Sequence, residues 1–292
     1  KLVMFEIDWQ QAWFRGFEVH GQAIVKLWHD LGSLPMALNR YAEGGLLDLD
    51  ADVSPWPSVS PLRAKGVVGL PRFVPQAQLP TSVAYESFIY DTHCVPTREN
   101  LHDFFNALCW FRYPLTKAYL NAEQAKTLKR LGPASERGAL RDALTLLDEN
   151  ACFVWCESEM WHALQKHDWL DAFWRQRDAW ASVRVELFGH ALLEKLCKPY
   201  KAITAHAVHV QPVVAQRGVQ GLQEPSDAWR DAQMLSALRS LNLSSKPFQA
   251  LPVLGVPGWS LDNAQMSFYE DDKVFRPNKQ DTLRQKSLKS KA

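Results

Sequence analysis

The chain has 292 residues, of which 47% are hydrophobic, so it can bury a substantial core and disorder of the whole chain is excluded. Its 33 Lys and Arg residues nearly balance its 32 Asp and Glu residues, and the net charge of +1 creates no overall field favouring nucleic acid or an anionic membrane. No apolar run approaches the roughly 20 residues of a membrane-spanning helix. The odd number of cysteines, five, is typical of free thiols in a reducing cytoplasm, and we expect a cytoplasmic protein.

Helical periodicity marks the first part of the chain. Aromatic and aliphatic residues recur at helical spacing over residues 8–30, which predicts a first helix weakened by Gly16 and Gly21. Ser33 is a good N-cap for a short second helix with Pro in its first turn. Residues 48–82 are rich in Pro and show no periodicity, so we expect an ordered wrap or a long loop there.

Two helices and an ambiguous segment follow. Asn100 can cap a helix over residues 101–112, and a second helix is predicted over residues 115–131. The next segment, RDALTLLDENACFVW, has a first half that could be helical, but DEN is a turn signal and CFVW is typical of a strand. We interpret the segment as a β-hairpin with its turn at residues 148–150.

Strands and helices alternate in the last third. The alternation in residues 183–188 and again in KAITAHAVHV predicts two strands, with a short helix, HALLEKL, after Gly189. Ser226 can cap a further helix. The predicted fold is α+β: a predominantly helical single domain over residues 1–277, packed on a small, mostly antiparallel sheet. The basic residues 278–292 carry almost nothing apolar, and we expect a disordered C-terminal tail.

Several long motifs carry a family resemblance. They are VPTRENLHDFFNALCWFRYPLTKAYLN, RDALTLLDEN, FGHALLEKL with KAITAH, and GVPGW with FYEDDKVFRP. Over about Phe73 to Pro277 the chain resembles a bacterial family described as domain of unknown function 3025. The resemblance implies a bacterial protein and supplies no cofactor or catalytic residue.

The helix at 101–112 carries polar groups beside its apolar face. At about 100° per residue, His102, Asn106, Cys109 and Tyr113 share one stripe. Asp103 lies elsewhere and is explained by the helix dipole and the Asn100 cap. A buried polar group without a partner costs about 1 to 3 kcal/mol, so the stripe needs partners. Lys117 and Asn121, which share a stripe of the next helix, are the candidates.

Two further sets of residues could carry chemistry. His190 and Glu194 are one helical turn apart, so they can ligate one metal ion or act as a base with its orienting carboxylate; a simple surface pair is the plainer reading. In a strand over residues 140–147, Asp142 would lie among apolar neighbours, with Arg141 on the opposite face.

The leading functional hypothesis is a metal-assisted hydrolase acting on a phosphorylated or nucleotide-like substrate, with a divalent metal as cofactor. Its catalytic groups or metal ligands would be His102, Asp142, His190 and Glu194. Its substrate-binding groups would be Asn106, Lys117, Asn121 and Arg141.

Two alternatives stay open. In a non-catalytic binding or assembly protein, the same polar residues would form a structural network, and the Trp-rich stretch of residues 155–180 would meet a small molecule or a protein partner. A weaker alternative is nucleic-acid binding through the basic tail.

Overall fold

The computed structural model describes residues 6–44, 69–131, 138–212 and 226–277, and helices predominate over strands in these ranges. The helices are α1 (Glu18–Leu31), α2 (Leu34–Ala42), α3 (Tyr85–Thr92), α4 (Leu101–Arg112), α5 (Pro114–Leu131), α6 (Ala139–Asn150), α7 (Ser158–Lys166), α8 (His190–Lys195) and α9 (Asp227–Ser240). The strands are β1 (Arg72–Pro75), β2 (Cys94–Thr97), β3 (Ala151–Trp155), β4 (Arg184–Leu187), β5 (Thr204–Val210) and β6 (Gln249–Pro252). The predicted α+β, predominantly helical fold is confirmed.

The larger sheet has the strand order β4-β3-β5-β6. Its outer pairs, β3 with β4 and β5 with β6, are antiparallel, while β3 and β5 pair in parallel at the centre. Every residue of β3 is buried, as expected for a strand covered on both faces. The expectation of a mostly antiparallel sheet therefore holds for this sheet, with a parallel pair at its core.

A second, two-stranded sheet was not predicted. It consists of β1 and β2 in parallel, and β1 lies within residues 48–82, which the sequence predicts as a loop or wrap. That prediction is wrong for β1, because a short Pro-containing strand paired with a distant segment shows no periodicity of its own. Residues 48–68 lie outside the described residues. The predicted tail at 278–292 lies outside them as well, so its suggested binding of nucleic acid stays a prediction.

The hairpin predicted around residues 148–150 is wrong. Residues 139–150 form α6, which passes directly into β3. Ala143, Leu144 and Leu147 are fully buried at helical spacing, so packing against the core outweighs the turn signal of the DEN segment.

The first helix begins later than predicted. A 3-10 turn at Ala12–Phe14 precedes α1, and Gly16 between them has a φ of +82°. A Cβ at Gly16 would lie 2.1 Å from Nη2 of Arg112, so the chain requires glycine for this close approach. The helix expected to run continuously from residue 8 is therefore interrupted at Gly16, where the backbone lies against the buried guanidinium of Arg112.

Two of the three predicted helix caps are present in the structure. The Asn100 side chain accepts a hydrogen bond from the Asp103 N–H at 2.8 Å, and Ser226 caps α9 in the same way. The Ser33 side chain makes no cap bond to α2. Instead the Glu99 carboxylate accepts from the Leu34 N–H at 2.8 Å, which satisfies the helix terminus from a distant part of the chain.

Helix α4 is the central element, since residues 103–112 are all buried. Its last residue, Arg112, is 2% exposed, and its guanidinium lies 2.8 Å from the carboxylate of Glu186 on β4. The Tyr113 hydroxyl donates to the same carboxylate at 2.8 Å, and Arg112 Nη1 donates to the Arg15 carbonyl at 2.6 Å. Together these contacts anchor the end of α4 to the edge of the sheet.

In the described part of the chain, no helix is both long enough and apolar enough to cross a membrane. The cytoplasmic location and the single domain over residues 1–277 stay predictions.

A buried histidine makes the stability of the fold depend on pH. His20 of α1 is 6% exposed, and its Nδ1 forms a hydrogen bond with the Tyr41 hydroxyl. Burial, opposed by Asp227 and reinforced by Arg112, lowers the pKa of His20 from 6.5 to about 4. The unfolded chain therefore binds a proton at a higher pH than the folded chain.

We expect the free energy of unfolding to fall as the pH drops from 6.5 towards 4, with His20 contributing up to about 3 kcal/mol of that loss. Urea denaturation of the wild type and of His20→Asn at pH 7, 5.5 and 4 measures this contribution. The variant should lose less stability with acid than the wild type. Identical pH dependence in the two proteins would contradict the assignment.

Candidate metal centre

The polar stripe predicted on α4 packs against the chain from β4 to the first residue of α8. Three pairs define the contact: Tyr113–Glu186, Cys109–Phe188 and His102–His190. The Cys109 thiol donates to the Phe188 carbonyl at 3.1 Å, and the two histidine rings meet edge to face. The sequence thus identified the stripe, and the structure shows which segment it contacts.

Two imidazole nitrogens and a carboxylate converge at one end of this contact. Nε2 of His102 lies 3.0 Å from Nε2 of His190, and a carboxylate oxygen of Glu149 lies 3.8 Å from the same His190 nitrogen. The three ligand atoms all lie within 4.8 Å of one another. Tetrahedral zinc, with Zn–N distances of about 2.0 Å, places two such nitrogens about 3.3 Å apart, so the group has the size of a metal site.

Each ring has a carboxylate on its far side. Glu194 lies 2.9 Å from Nδ1 of His102, and a proton on that Nδ1 would leave the Nε2 lone pair for a cation. Asp148 lies 3.7 Å from Nδ1 of His190, beyond hydrogen-bond distance. The two Nε2 atoms face each other, and a cation beside them would take a lone pair from each.

The charge states suit a metal as well. Burial lowers the pKa of His190 to about 4, so its imidazole is neutral, as a ligand must be. Burial alone would raise the pKa of Asp148, but Lys117 and His190 outweigh it and hold that pKa below its ordinary value. Burial raises the pKa of Glu149, and the positive charges of His102, Lys117 and Lys195 offset this only in part.

Lys117 ties the centre to its surroundings. Its ammonium group donates to the Asn106 side-chain oxygen at 2.7 Å and forms an ion pair with Asp148. Asn106 in turn donates to the Tyr85 hydroxyl at 3.1 Å. The expectation that Asn106 needs a partner on α5 is therefore confirmed, and the network connects α3, α4, α5 and α6.

A cavity of about 290 Å³ opens beside the centre. His102, Glu149 and His190 are on its wall. Its other polar lining residues are Gln76, Tyr85, Glu86, Arg98, Asp103, Asn106, Lys117, Asn121, Gln124, Thr145 and Asp148. The three candidate ligands thus face a space large enough for a small substrate.

The structure brings together most of the residues predicted as a site. His102, His190 and Glu194 form one cluster, and Asn106, Lys117 and Asn121 line the cavity beside it. Asn121 is held by a bond of 2.9 Å from its amide to the Glu86 carbonyl.

Two predicted residues lie elsewhere. Asp142 forms an ion pair with Lys246 at 3.2 Å, and neither Asp142 nor Arg141 lines the cavity. Both were placed on a predicted strand, whereas they belong to α6, nearly two turns before Asp148.

The sequence does not identify two residues of the centre. Asp148 and Glu149 fall in the predicted turn at residues 148–150, where acidic residues are common. With the segment read as a helix, Thr145 shares a face with both at spacings of three and four, and all three line the cavity. A helical interpretation of RDALTLLDEN would therefore have placed Asp148 and Glu149 on one face with Thr145.

Gly189 allows α8 to begin next to the junction of α6 and β3. Its N–H donates to the Ala151 carbonyl at 2.9 Å, and a Cβ at this position would lie 2.4 Å from the Asn150 nitrogen. Only glycine permits such close packing of backbone on backbone. This approach places His190 beside Asp148 and Glu149.

We expect Gly189→Ala to lower the free energy of unfolding by about 1 to 3 kcal/mol, because the backbone must move to admit the methyl group. Gly138→Ala is the matched control, since no described residue lies within 4 Å of a Cβ there. Chemical denaturation of both variants tests the packing. Equal stabilities of the two variants would show that the junction tolerates the shift.

Comparison with known proteins places the centre within a family. The profile of proteins of unknown function (DUF3025) matches residues 71–279, which include every residue of the centre. No curated protein and no solved structure matches the chain. Because the match covers more than half of the sequence, the chain belongs to the family of proteins of unknown function DUF3025.

Proposed function

We propose that this protein is a metal-dependent hydrolase whose divalent cation is held by His102, His190 and Glu149. The observation that carries the proposal is the pair of imidazole Nε2 atoms that face each other 3.0 Å apart, beside a carboxylate and at the wall of a cavity. Two histidines with one carboxylate, leaving a coordination position open, are typical of catalytic zinc.

Such a cation would polarise a substrate oxygen and lower the pKa of a bound water molecule, which then attacks an ester or amide centre. Glu194 would act as a positioning residue, because it fixes the ring of His102 by a bond of 2.9 Å. Asp148 would neutralise Lys117 and place a negative charge 3.7 Å from Nδ1 of His190.

The charges on the cavity wall limit which substrates can bind. The wall carries two cationic side chains, Arg98 and Lys117, against four carboxylates. A divalent cation would cancel the excess negative charge, so a phosphorylated or nucleotide-like substrate would bind only after the metal. Arg98, whose side chain is 56% exposed, is the cation nearest to solvent and would meet the phosphate first.

We expect the purified protein to bind one zinc ion, measured by elemental analysis and titration calorimetry. His102→Ala, His190→Ala and Glu149→Gln should each weaken binding by about 100-fold or more, because each removes a ligand atom. Asp142→Asn is the matched control, since Asp142 pairs with Lys246 and should leave zinc affinity unchanged. Wild-type affinity in all three ligand variants would exclude this centre.

We expect hydrolysis of phosphate esters such as p-nitrophenyl phosphate and bis-p-nitrophenyl phosphate by the zinc-loaded protein, and its loss on chelation. Inorganic phosphate should bind to the zinc-loaded protein and not to the metal-free protein. Phosphate binding without metal would contradict the order of binding. If the protein binds zinc but hydrolyses no phosphate, carboxylic ester or amide substrate, the metal site would be supported and the hydrolase activity would be excluded.

A non-catalytic role is the second candidate, and the Asn106–Lys117–Asp148 network favours it. These bonds join three helices and would stabilise the fold without any ligand. On this alternative, Asn106→Ala lowers the free energy of unfolding by about 1 to 3 kcal/mol and zinc does not raise the stability of the wild type.

A further inference from the structure

The cavity beside the candidate metal centre continues along α5, away from the three candidate ligands. Lys117, Asn121 and Gln124 recur at helical spacing on the face of α5 that lines the cavity. Lys117 pairs with Asp148, the neighbour of Glu149 in the chain, so it marks the metal end of the cavity. Gln124 lies two helical turns beyond Lys117, about 10 Å along the axis of α5. The cavity therefore has a far end, at the level of Asn121 and Gln124.

A buried side-chain amide without a protein partner lies at this far end. Gln124 is 8% exposed and lines the cavity. Its amide makes no hydrogen bond with any other described residue. A buried amide without a partner costs free energy, and a ligand in the cavity would recover it.

The far end also carries a carboxylate that no described residue neutralises. Glu86 of α3 lines the cavity at the level of Asn121, whose Nδ2 donates to the Glu86 carbonyl at 2.9 Å. The Glu86 carboxylate forms no hydrogen bond or ion pair with any described residue. Its negative charge is therefore available to a ligand.

The other charges of the cavity wall are already paired or belong to the metal end. Arg98 donates to both carboxylate oxygens of Asp103, at 2.8 and 3.1 Å, and Lys117 pairs with Asp148. A divalent cation bound to Glu149 would leave a net positive charge at the metal end. The metal-loaded cavity would thus be positive at the metal end and negative at the far end, which complements a ligand with an anionic and a cationic group.

We propose that the substrate of this hydrolase carries a protonated primary amine, separated from its phosphate by about six carbon atoms, and that the far end binds this amine. An ammonium group has three N–H donors, and three acceptors meet it: the Glu86 carboxylate, the Gln124 amide oxygen and Oδ1 of Asn121. Leu79 and Ile89 also line the cavity and would contact the carbon chain. The inference rests on the proposed function for the phosphate end alone.

Titration calorimetry of the zinc-loaded protein with terminally aminated hexyl phosphate and with plain hexyl phosphate tests the inference, since the two ligands differ only in the amine. The aminated ligand should bind about tenfold more tightly, because it gains a charge-assisted hydrogen bond. Glu86→Gln should remove this preference and leave the affinity for hexyl phosphate unchanged. Glu123→Gln is the matched control, because Glu123 pairs with Lys126 and does not line the cavity.

A second variant, Gln124→Leu, separates binding from a structural role. Because the amide has no protein partner, the variant should unfold at the same denaturant concentration as the wild type or at a higher one. Its affinity for aminated hexyl phosphate should nevertheless fall severalfold. Lower stability with unchanged affinity would show that the amide serves the fold, and would overturn its role in binding.

The amine site and the hydrolase can fail separately. Ligand-observed NMR of hexylamine with the metal-free protein reports on the amine site even if no zinc binds, and Glu86→Gln should abolish the signal. A protein that prefers the aminated ligand but hydrolyses no phosphate would retain the amine site alone. The proposal is overturned if hexylamine does not bind, if the two phosphates bind equally, or if Glu86→Gln keeps the preference; binding of adenosine in place of hexylamine would indicate a site for a neutral nucleobase.

Discussion

The packing of α4 against residues 186–194 is the contact on which the rest of the molecule depends. At one end, the buried pair of Arg112 and Glu186 fixes the helix to the sheet. At the other, the same alignment brings His102 to His190. Removing one partner of a buried ion pair costs about 3 to 5 kcal/mol, so the alignment is held strongly at the end that has no catalytic role in our proposal. The geometry of the candidate metal centre is thus supported by contacts outside it.

Local periodicity predicted the parts of the centre that lie on regular helices. The helical projection placed His102 and Asn106 on one stripe, and the spacing of His190 and Glu194 placed these two on one side of a helix; in the structure both contact His102. These inferences succeeded because a helix fixes the relative directions of residues three or four apart, whatever surrounds it. The partner of Asn106 on α5 followed from the cost of leaving a buried amide without a hydrogen bond.

What the sequence concealed depends on contacts between distant residues. Asp148 and Glu149 belong to a helix because α6 buries Leu144 and Leu147, and that burial overrides the local preference of DEN for a turn. The parallel pairing of β1 with β2 leaves no pattern in either strand. The cap of α2 by Glu99 joins residues 65 positions apart. These partners are too far apart in the sequence for any local pattern to include both of them.

The parallel pairing of β3 with β5 also sets an order for folding during synthesis. The connection between these strands contains α7, β4 and α8, so the centre of the sheet cannot close until the ribosome has released residues up to 210. His190 and Glu194 lie inside that connection and reach His102 only as the long loop closes. Non-local pairing of this kind folds slowly, and the nascent chain therefore exposes β3, which ends up wholly buried, while about 50 further residues are made. Until β5 is available, the apolar β3 is therefore a segment through which the nascent chain can aggregate.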